Sequence, residues 1–435
     1  MILAPAGVQE IVARLERAGF ETWCVGGAVR DALLGHPHLD WDFATAATPA
    51  QVMGVFKRTV PVGVEFGTVG VFDSENTLHE VTTFRRDVNT DGRHAVVEFG
   101  VSLDDDLARR DFTINAIAFH PKEGEIRDPF KGRDDLRNHI VRAVGVPAER
   151  MREDRLRALR GIRFAARFAF EIDPATWTAI RESAPHMGRL SPERVKQELE
   201  KTMEQVAKPS ISLERWREAG MLEALIPLIA RAPAERFSAL DFLERGEGEH
   251  KKGASLNRLA MLFFGEKESD VAAGTKALRF SNADQSWMSA LAGARAELGP
   301  AIDDALRTRT PGAVEIRRWV ARIGRMRAET FFALTAALWQ ARIRVPDSGH
   351  SAGGHPDSEI TARLEALKAL AVIIAFRDPI EVSDLAIDGE DLQKAGVKNG
   401  PQMGIMLKAL LDRVLDDPSL NTHADLLGLV KQLSA

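Results

Sequence analysis

The chain has 435 residues, with 58 Lys plus Arg against 63 Asp plus Glu, a formal net charge of −5; 45% are hydrophobic and 28% charged. That balance excludes a disordered or collagen-like chain and shows none of the strong basicity of many nucleic acid binders. The single cysteine, Cys24, excludes a disulfide framework or a multi-thiolate zinc site and fits a reducing cytoplasm.

Apolar spacing predicts a helix over 10–18. A short strand over 23–25 runs into a tight turn at Gly26-Gly27. A helix over 28–34 follows, stopped by Gly35 and Pro37. Residues 40–44 read as a second strand. Residues 68–72 and 78–84 read as two more, joined by the turn Asp73-Ser74-Glu75-Asn76. Residues 114–119 suit a buried strand or a buried helix. From about Val141 the period becomes helical, over 153–170, 192–203, 210–219 and beyond. Pro, Asp, Ser, Gly and His dominate 346–359, which reads as a flexible linker. The charged segment 86–97 reads as a mobile loop. Charges interrupt the N-terminus, so no signal peptide is expected, and the longest apolar run, 370–376, is too short to span a bilayer. The expected fold is an α+β head with a small mixed sheet, followed by an elongated all-α neck, body and tail. Its expected parts are a head over 1–140, a neck over 141–230, a body over 231–345, the linker, and a tail over 360–435.

On a strand, Asp40 and Asp42 would point to one face, where two carboxylates repel unless a cation lies between them. Hard oxygen ligands suit Mg²⁺, which also keeps waters and substrate phosphate oxygens. Glu80, on the strand over 78–84, is a third candidate, and three carboxylates suit two metals about 4 Å apart. Gly26 and Gly27 allow close backbone approach at a helix start, and Arg30 offers a charged fork to the same phosphates. In Arg110-Asp111, the aspartate can accept from a ribose hydroxyl and the arginine can donate to phosphates, with Asn115 as a brace. Asp154 and Arg157 lie i,i+3 on the predicted helix over 153–170, and Arg160 and Arg163 continue the row. By spacing alone this is a plain helix-surface ion pair; under the family resemblance that the motifs below carry, it would match the base edges of cytosine and adenine and mismatch uracil and guanine.

The run Gly26-Gly27-Ala28-Val29-Arg30-Asp31-Ala32-Leu33-Leu34-Gly35 with Asp40-Trp41-Asp42 resembles the opening motif of class II tRNA nucleotidyltransferases, the CCA-adding enzymes, and of bacterial poly(A) polymerases. The resemblance continues through Gly67-Thr68-Val69, Glu80-Val81-Thr82-Thr83-Phe84-Arg85, a ribose-reading motif over 109–116 and a base-reading motif over 153–157. A neck-supporting motif follows over 190–199, and the resemblance returns in the tail at 384–392, Gly400-Pro401 and Asn421. It implies a polymerase-β-like head and metal-dependent transfer of C and A from CTP and ATP to a tRNA 3′ end in the cytoplasm. It assigns Asp40, Asp42 and Glu80 to catalysis, the first two as Mg²⁺ ligands. Nucleotide binding falls to Gly26, Gly27, Arg30, Arg110, Asp111, Asn115, Asp154, Arg157, Arg160 and Arg163. A poly(A) polymerase, or an enzyme adding only A or only CC, is the alternative. Segment 86–97 resembles the loop that aids the switch from C to A. No His-Asp dipeptide is present, so no phosphohydrolase activity is expected. The −5 average hides two basic segments. Residues 141–170 hold eight Arg against three acids, and 301–345 hold nine against four, both expected to be open to RNA phosphates.

Overall fold

A computed structural model describes residues 2–36, 40–90, 95–246, 250–344 and 356–434. The chain divides into two compact units, residues 1–202 with 206–227, and residues 203–205 with 228–435. Head and neck thus fall in one unit, and body and tail in the other.

The first unit is built on a seven-stranded sheet. Its strands are β1 (Thr22–Val25), β2 (Asp42–Thr45), β3 (Thr59–Gly63), β4 (Thr68–Phe72) and β5 (Leu78–Thr83). A separate hairpin of β6 (Arg85–Thr90) and β7 (Ala95–Phe99) follows, and then β8 (Ala118–Phe119) and β9 (Ile126–Arg127) complete the sheet. The order is β3-β4-β5-β2-β1-β8-β9. Only β2 and β5 pair in parallel; the other neighbours are antiparallel. Along β5, His79, Val81 and Thr83 are buried while Leu78 and Glu80 are exposed, the alternation of a half-covered sheet. Leu103 and Leu107 pack with Trp23, Val25 and Ala44, so one face is covered at β1 and the inner end of β2. The cover does not reach Asp42, which stays open to solvent.

Several boundaries differ from those expected. The second strand begins at Asp42, so Asp40 precedes it, and residues 37–39 lie outside the described residues. Residues 114–119 are neither one strand nor one helix: a single 3₁₀ turn, Thr113–Asn115, leads to β8. Segment 86–97 is mainly the β6–β7 hairpin rather than a loop, with 91–94 outside the described residues. The helix expected over 153–170 is two, Pro147–Glu153 and Leu156–Phe168, broken where Asp154 turns extended (φ −147°, ψ 105°). Asp154 uses its side chain to bond the Leu156 N–H, the local competition that makes aspartate a poor helix-interior residue.

The second unit is helical. Buried Arg258 donates to Met203 O at 2.8 Å and to Leu243 O at 2.6 Å, satisfying carbonyls that would otherwise be orphaned. The linker expected over 346–359 is shorter on its C-terminal side, because a helix already runs over Pro356–Arg377; residues 345–355 lie outside the described residues. That helix packs against Ala313–Ile323 and Arg325–Arg344, so it belongs with the body and the tail begins after it. Leu385, Ile387, Leu392, Leu410, Val414, Leu426 and Val430 form the tail's own small core. Asn421 accepts from the Ala386 N–H and donates to Asp384 O, clamping the two ends of that core. Among the described residues no helix is long and apolar enough to cross a membrane.

Candidate active site

Strand pairing assembles the catalytic face. Val25 lies opposite Asp42 in the β1–β2 register, so the Gly26 turn stands beside that carboxylate. Gly26 has φ +76°, and a Cβ there would lie 3.1 Å from Arg110 Nη1 and 3.7 Å from Asp42 Oδ2. The positive φ calls for glycine, and a Cβ would also press on the Arg110 guanidinium. Phe43 pairs with Val81 across the parallel β2–β5 ladder, which puts Asp42 and Glu80 on one face, one residue before that pair.

Asp40, Asp42 and Glu80 are all exposed. Surrounding protein still desolvates Asp42 from one side, and Glu80 and Asp40 crowd it with negative charge. Together these push its carboxyl up to about 6, against the pull of Arg110. Unbalanced negative charge on hard oxygens is the chemistry that a divalent cation relieves, so the donor set fits a hard divalent cation. The expected cage of three carboxylates is not formed: among the described residues no three such side chains stand close enough to hold an ion.

The nucleotide-binding candidates form one linked network. Arg30 is buried, with Nε donating to Asp31 Oδ1 at 2.8 Å and Nη1 to Asn115 Oδ1 at 2.5 Å, and it lies over the rings of Phe164 and Phe168. The open fork expected at Arg30 is thus corrected to an internal strut, because both edges of its guanidinium are engaged. Asn115 Nδ2 donates to Asp111 Oδ1 at 2.9 Å. Asp111 Oδ2 accepts from Arg160 Nε and Nη2, each at 2.8 Å. Burial opposes charge on Asp111, but Arg160, Asn115 and the Phe112 amide outweigh it and hold the carboxyl at about 2. Glu198, on the helix Pro192–Gln205, accepts from Arg163 Nε at 2.8 Å and lies 3.9 Å from Arg160 Nη1. Arg110 Nη2 donates to Asp106 at 3.0 Å, and its other end faces Gly26.

The expected Asp154–Arg157 pair is not formed. Arg157, with its side chain only 10% exposed, donates to Glu153 Oε2 at 2.7 Å and to Arg109 O at 2.9 Å. Asp154 instead meets Arg194 Nη2 at 2.7 Å. The two residues keep an i,i+3 backbone bond, Arg157 N–H to Asp154 O at 3.1 Å, but their side chains are engaged by different partners.

Sequence reasoning also missed His79 and Asp106. His79 is buried, bonded between Asp73 Oδ2 at 3.1 Å and Trp41 O at 3.3 Å, directly behind Asp42. Asp106 is buried beneath Arg109 and Arg110; its signal was the spacing Leu103, Asp106, Leu107 on one helical face. Nor are the basic segments open as expected. In 141–170, six of the eight Arg (142, 150, 157, 160, 163 and 167) form ion pairs. In 301–345, where the side chain of Arg344 lies outside the described residues, six of the other eight do (309, 317, 318, 322, 325 and 342).

Fold and site define a nucleotidyltransferase. A family model described as the poly A polymerase head domain matches residues 22–142, and another, the probable RNA and SrmB-binding site of polymerase A, matches residues 169–232. The chain is 33% identical to the CCA-adding enzyme of Limosilactobacillus fermentum over 427 residues, covering 97% of this chain and 96% of that one. It is 40% identical to that of Streptococcus sanguinis over 292 residues, 66% of this chain and 64% of the relative. The crystal structure of the Bacillus stearothermophilus CCA-adding enzyme in complex with CTP is 29% identical, with a TM-score of 0.74 over 98% of this chain and 97% of that one. The Thermotoga maritima enzyme complexed with tRNA, at 21% identity and a TM-score of 0.65 over 98% and 94%, shares the fold. With such identity across nearly the full length of both chains, this chain belongs to the CCA-adding enzyme family. The similarity extends through 220–360, where no sequence motif could be placed.

Proposed function

We propose that the chain adds C and A nucleotides to the 3′ end of tRNA from CTP and ATP, without a nucleic acid template. The near-full-length similarity to CCA-adding enzymes carries this reading, and the pairing of Asp42 with the Gly26 turn supports it locally. In the reaction the terminal 3′-oxygen bonds to the α-phosphorus, the bond from that phosphorus to the β-phosphate bridge breaks, and pyrophosphate leaves. A divalent ion, Mg²⁺ in this reading, supplies activation of the hydroxyl and stabilisation of the leaving pyrophosphate when bound. Asp40 and Asp42 are the ligands assigned to it, with Glu80 alongside. Arg110, whose Nη1 lies beside Gly26, is assigned to donate to the triphosphate. Asp111, braced by Asn115 and Arg160, is assigned to the ribose. Arg30 and Arg163 hold the site's walls together. Asp154 supplies the acceptor for the amino group of cytosine or adenine. Arg157 supplies the donor, exchanging its Glu153 contact for the ring nitrogen. Both substrates, tRNA and nucleoside triphosphates, are cytoplasmic molecules, which supports a cytoplasmic location.

The test supplies each NTP singly, with Mg²⁺, to tRNA ending at the discriminator base, at C or at CC. C, C and A are expected in that order. Long A tracts on any 3′ end would point to poly(A) synthesis, and UTP incorporation as ready as that of CTP would remove the base-reading role of Asp154 and Arg157.

A further inference from the structure

Asp154 stands at the break between two helices, its N–H bonded to Arg150 O at 3.3 Å and its C=O to the Arg157 N–H at 3.1 Å. Two further contacts set the direction of its carboxylate. Oδ1 accepts from the Leu156 N–H at 3.0 Å, and Oδ2 accepts from Arg194 Nη2 at 2.7 Å. Two donors from different elements set the plane of a carboxylate as well as its position. Each carboxylate oxygen has a second lone-pair direction, so Asp154 can still accept from an incoming amino group. Its side chain remains 29% exposed and that of Arg194 32%, so the pair borders open space.

Arg194 is itself held. It lies in the first turn of the helix Pro192–Gln205, capped by Ser191, whose Oγ accepts from the Arg194 N–H. One turn further along the same helix, Glu198 receives Arg163. Residues i and i+4 share a helix face, so one face of this helix donates to Asp154 and accepts from the base-reading helix. Arg157, turned inward to Glu153 and Arg109 O, makes no such contact with Asp154.

We propose that Arg194 is a positioning residue for base selection, acting through Asp154: it fixes the direction in which the Asp154 carboxylate accepts a hydrogen bond. The proposal rests on the reading that Asp154 recognises the amino group of cytosine and adenine. Without Arg194 the carboxylate keeps one contact and swings about it. The amino edge of cytosine then loses its advantage over the carbonyl edge of uracil, while Asp154 itself remains.

The test measures kcat/KM for CTP and for UTP separately, on tRNA ending at the first C. The full-length chain is compared with Arg194→Ala, Arg194→Lys, Asp154→Ala and the Asp154→Ala/Arg194→Ala double variant. The CTP-to-UTP ratio is the readout, because it does not depend on the fraction of enzyme folded. Arg194→Ala is expected to lower the ratio by roughly tenfold or more, as when a hydrogen-bonding reader loses its geometry. Arg194→Lys, which keeps the charge without the planar fork, is expected to recover part of it. The double variant is expected to fall no lower than Asp154→Ala alone, because both act through one carboxylate. A collapsed ratio in Asp154→Ala with an unchanged ratio in Arg194→Ala overturns the role of Arg194 alone, as do losses that add in the double variant. An unchanged ratio in Asp154→Ala overturns the reading of Asp154 and the proposal with it.

Discussion

Asp111 and Arg160 meet through two nitrogen–oxygen contacts of 2.8 Å, joining the turn at Asp111–Asn115 to the helix Leu156–Phe168. Arg160→Ala would leave Asp111 buried without its main counter-charge. The expected loss is about 3 kcal/mol of unfolding free energy, measured by urea denaturation at pH 7. Because the folded carboxyl sits at about 2, below its ordinary 3.8, its stabilisation is full at neutral pH. It is lost as pH falls from about 4 toward 2. An Asp111→Asn variant should lack that acid limb.

Asp42 has the opposite sign. Its folded value of about 6 lies above the ordinary 3.8, so the metal-free protein binds this proton more tightly than the unfolded chain does. Acidification from pH 7 to 5 should therefore relieve strain at this position, and Asp42→Asn should raise the melting temperature at neutral pH while abolishing nucleotide addition. Mg²⁺ stabilisation, followed as a thermal shift, should weaken below about pH 6 as protons compete for the carboxylate. A Mg²⁺ response that is flat between pH 5 and 8 would contradict the assignment.

His79 tests how rigidly the metal strand must be held. Its ring joins Asp73 to the Trp41 carbonyl, one residue before Asp42. His79→Ala should lower kcat by about tenfold with little change in KM for CTP, since misplaced catalytic groups cost turnover before binding. Asp73→Ala should reproduce the split, because Asp73 is itself fixed by the Glu75 and Thr77 amides.

Gly67 bears on the β6–β7 hairpin. It has φ +84°, and a Cβ there would come within 2.5 Å of Phe99, the last residue of β7. Gly67→Ala should displace the Phe99 ring and with it the end of the hairpin. If the hairpin serves the switch from C to A, CC addition should persist while the final A is slowed. Equal slowing of both steps would separate the hairpin from the switch.

Much of the head was legible because strand alternation and glycine turns are local. The strand 68–72 was found to the residue, and the turn at 73–76 closes through Asp73 N–H to Thr77 O. Glu80 was named beside Asp42 from its strand and its motif; the parallel β2–β5 pairing that puts both on one face is a non-local contact that no sequence pattern showed. What escaped depended on distant contacts. Helical spacing joined Asp154 to Arg157, but Asp154 breaks the helix and pairs with Arg194, forty residues on. Arg30 read as a free fork because its partner Asn115 lies eighty-five residues away. The tail boundary was misread because composition marks the link before Pro356, whereas packing decides which side the next helix joins.

The pairing of the basic segments changes what salt should do to this protein. An arginine that displaces a phosphate's condensed counterion contributes to the slope of affinity against ionic strength; one already neutralised by a carboxylate contributes little. With twelve of the sixteen arginines whose side chains are described in the two basic segments tied to acids, the slope for tRNA binding should be far shallower than their number suggests. Discrimination would then rest on the contour of the folded RNA, a property that survives in salt that strips weaker adherents from any polyanion.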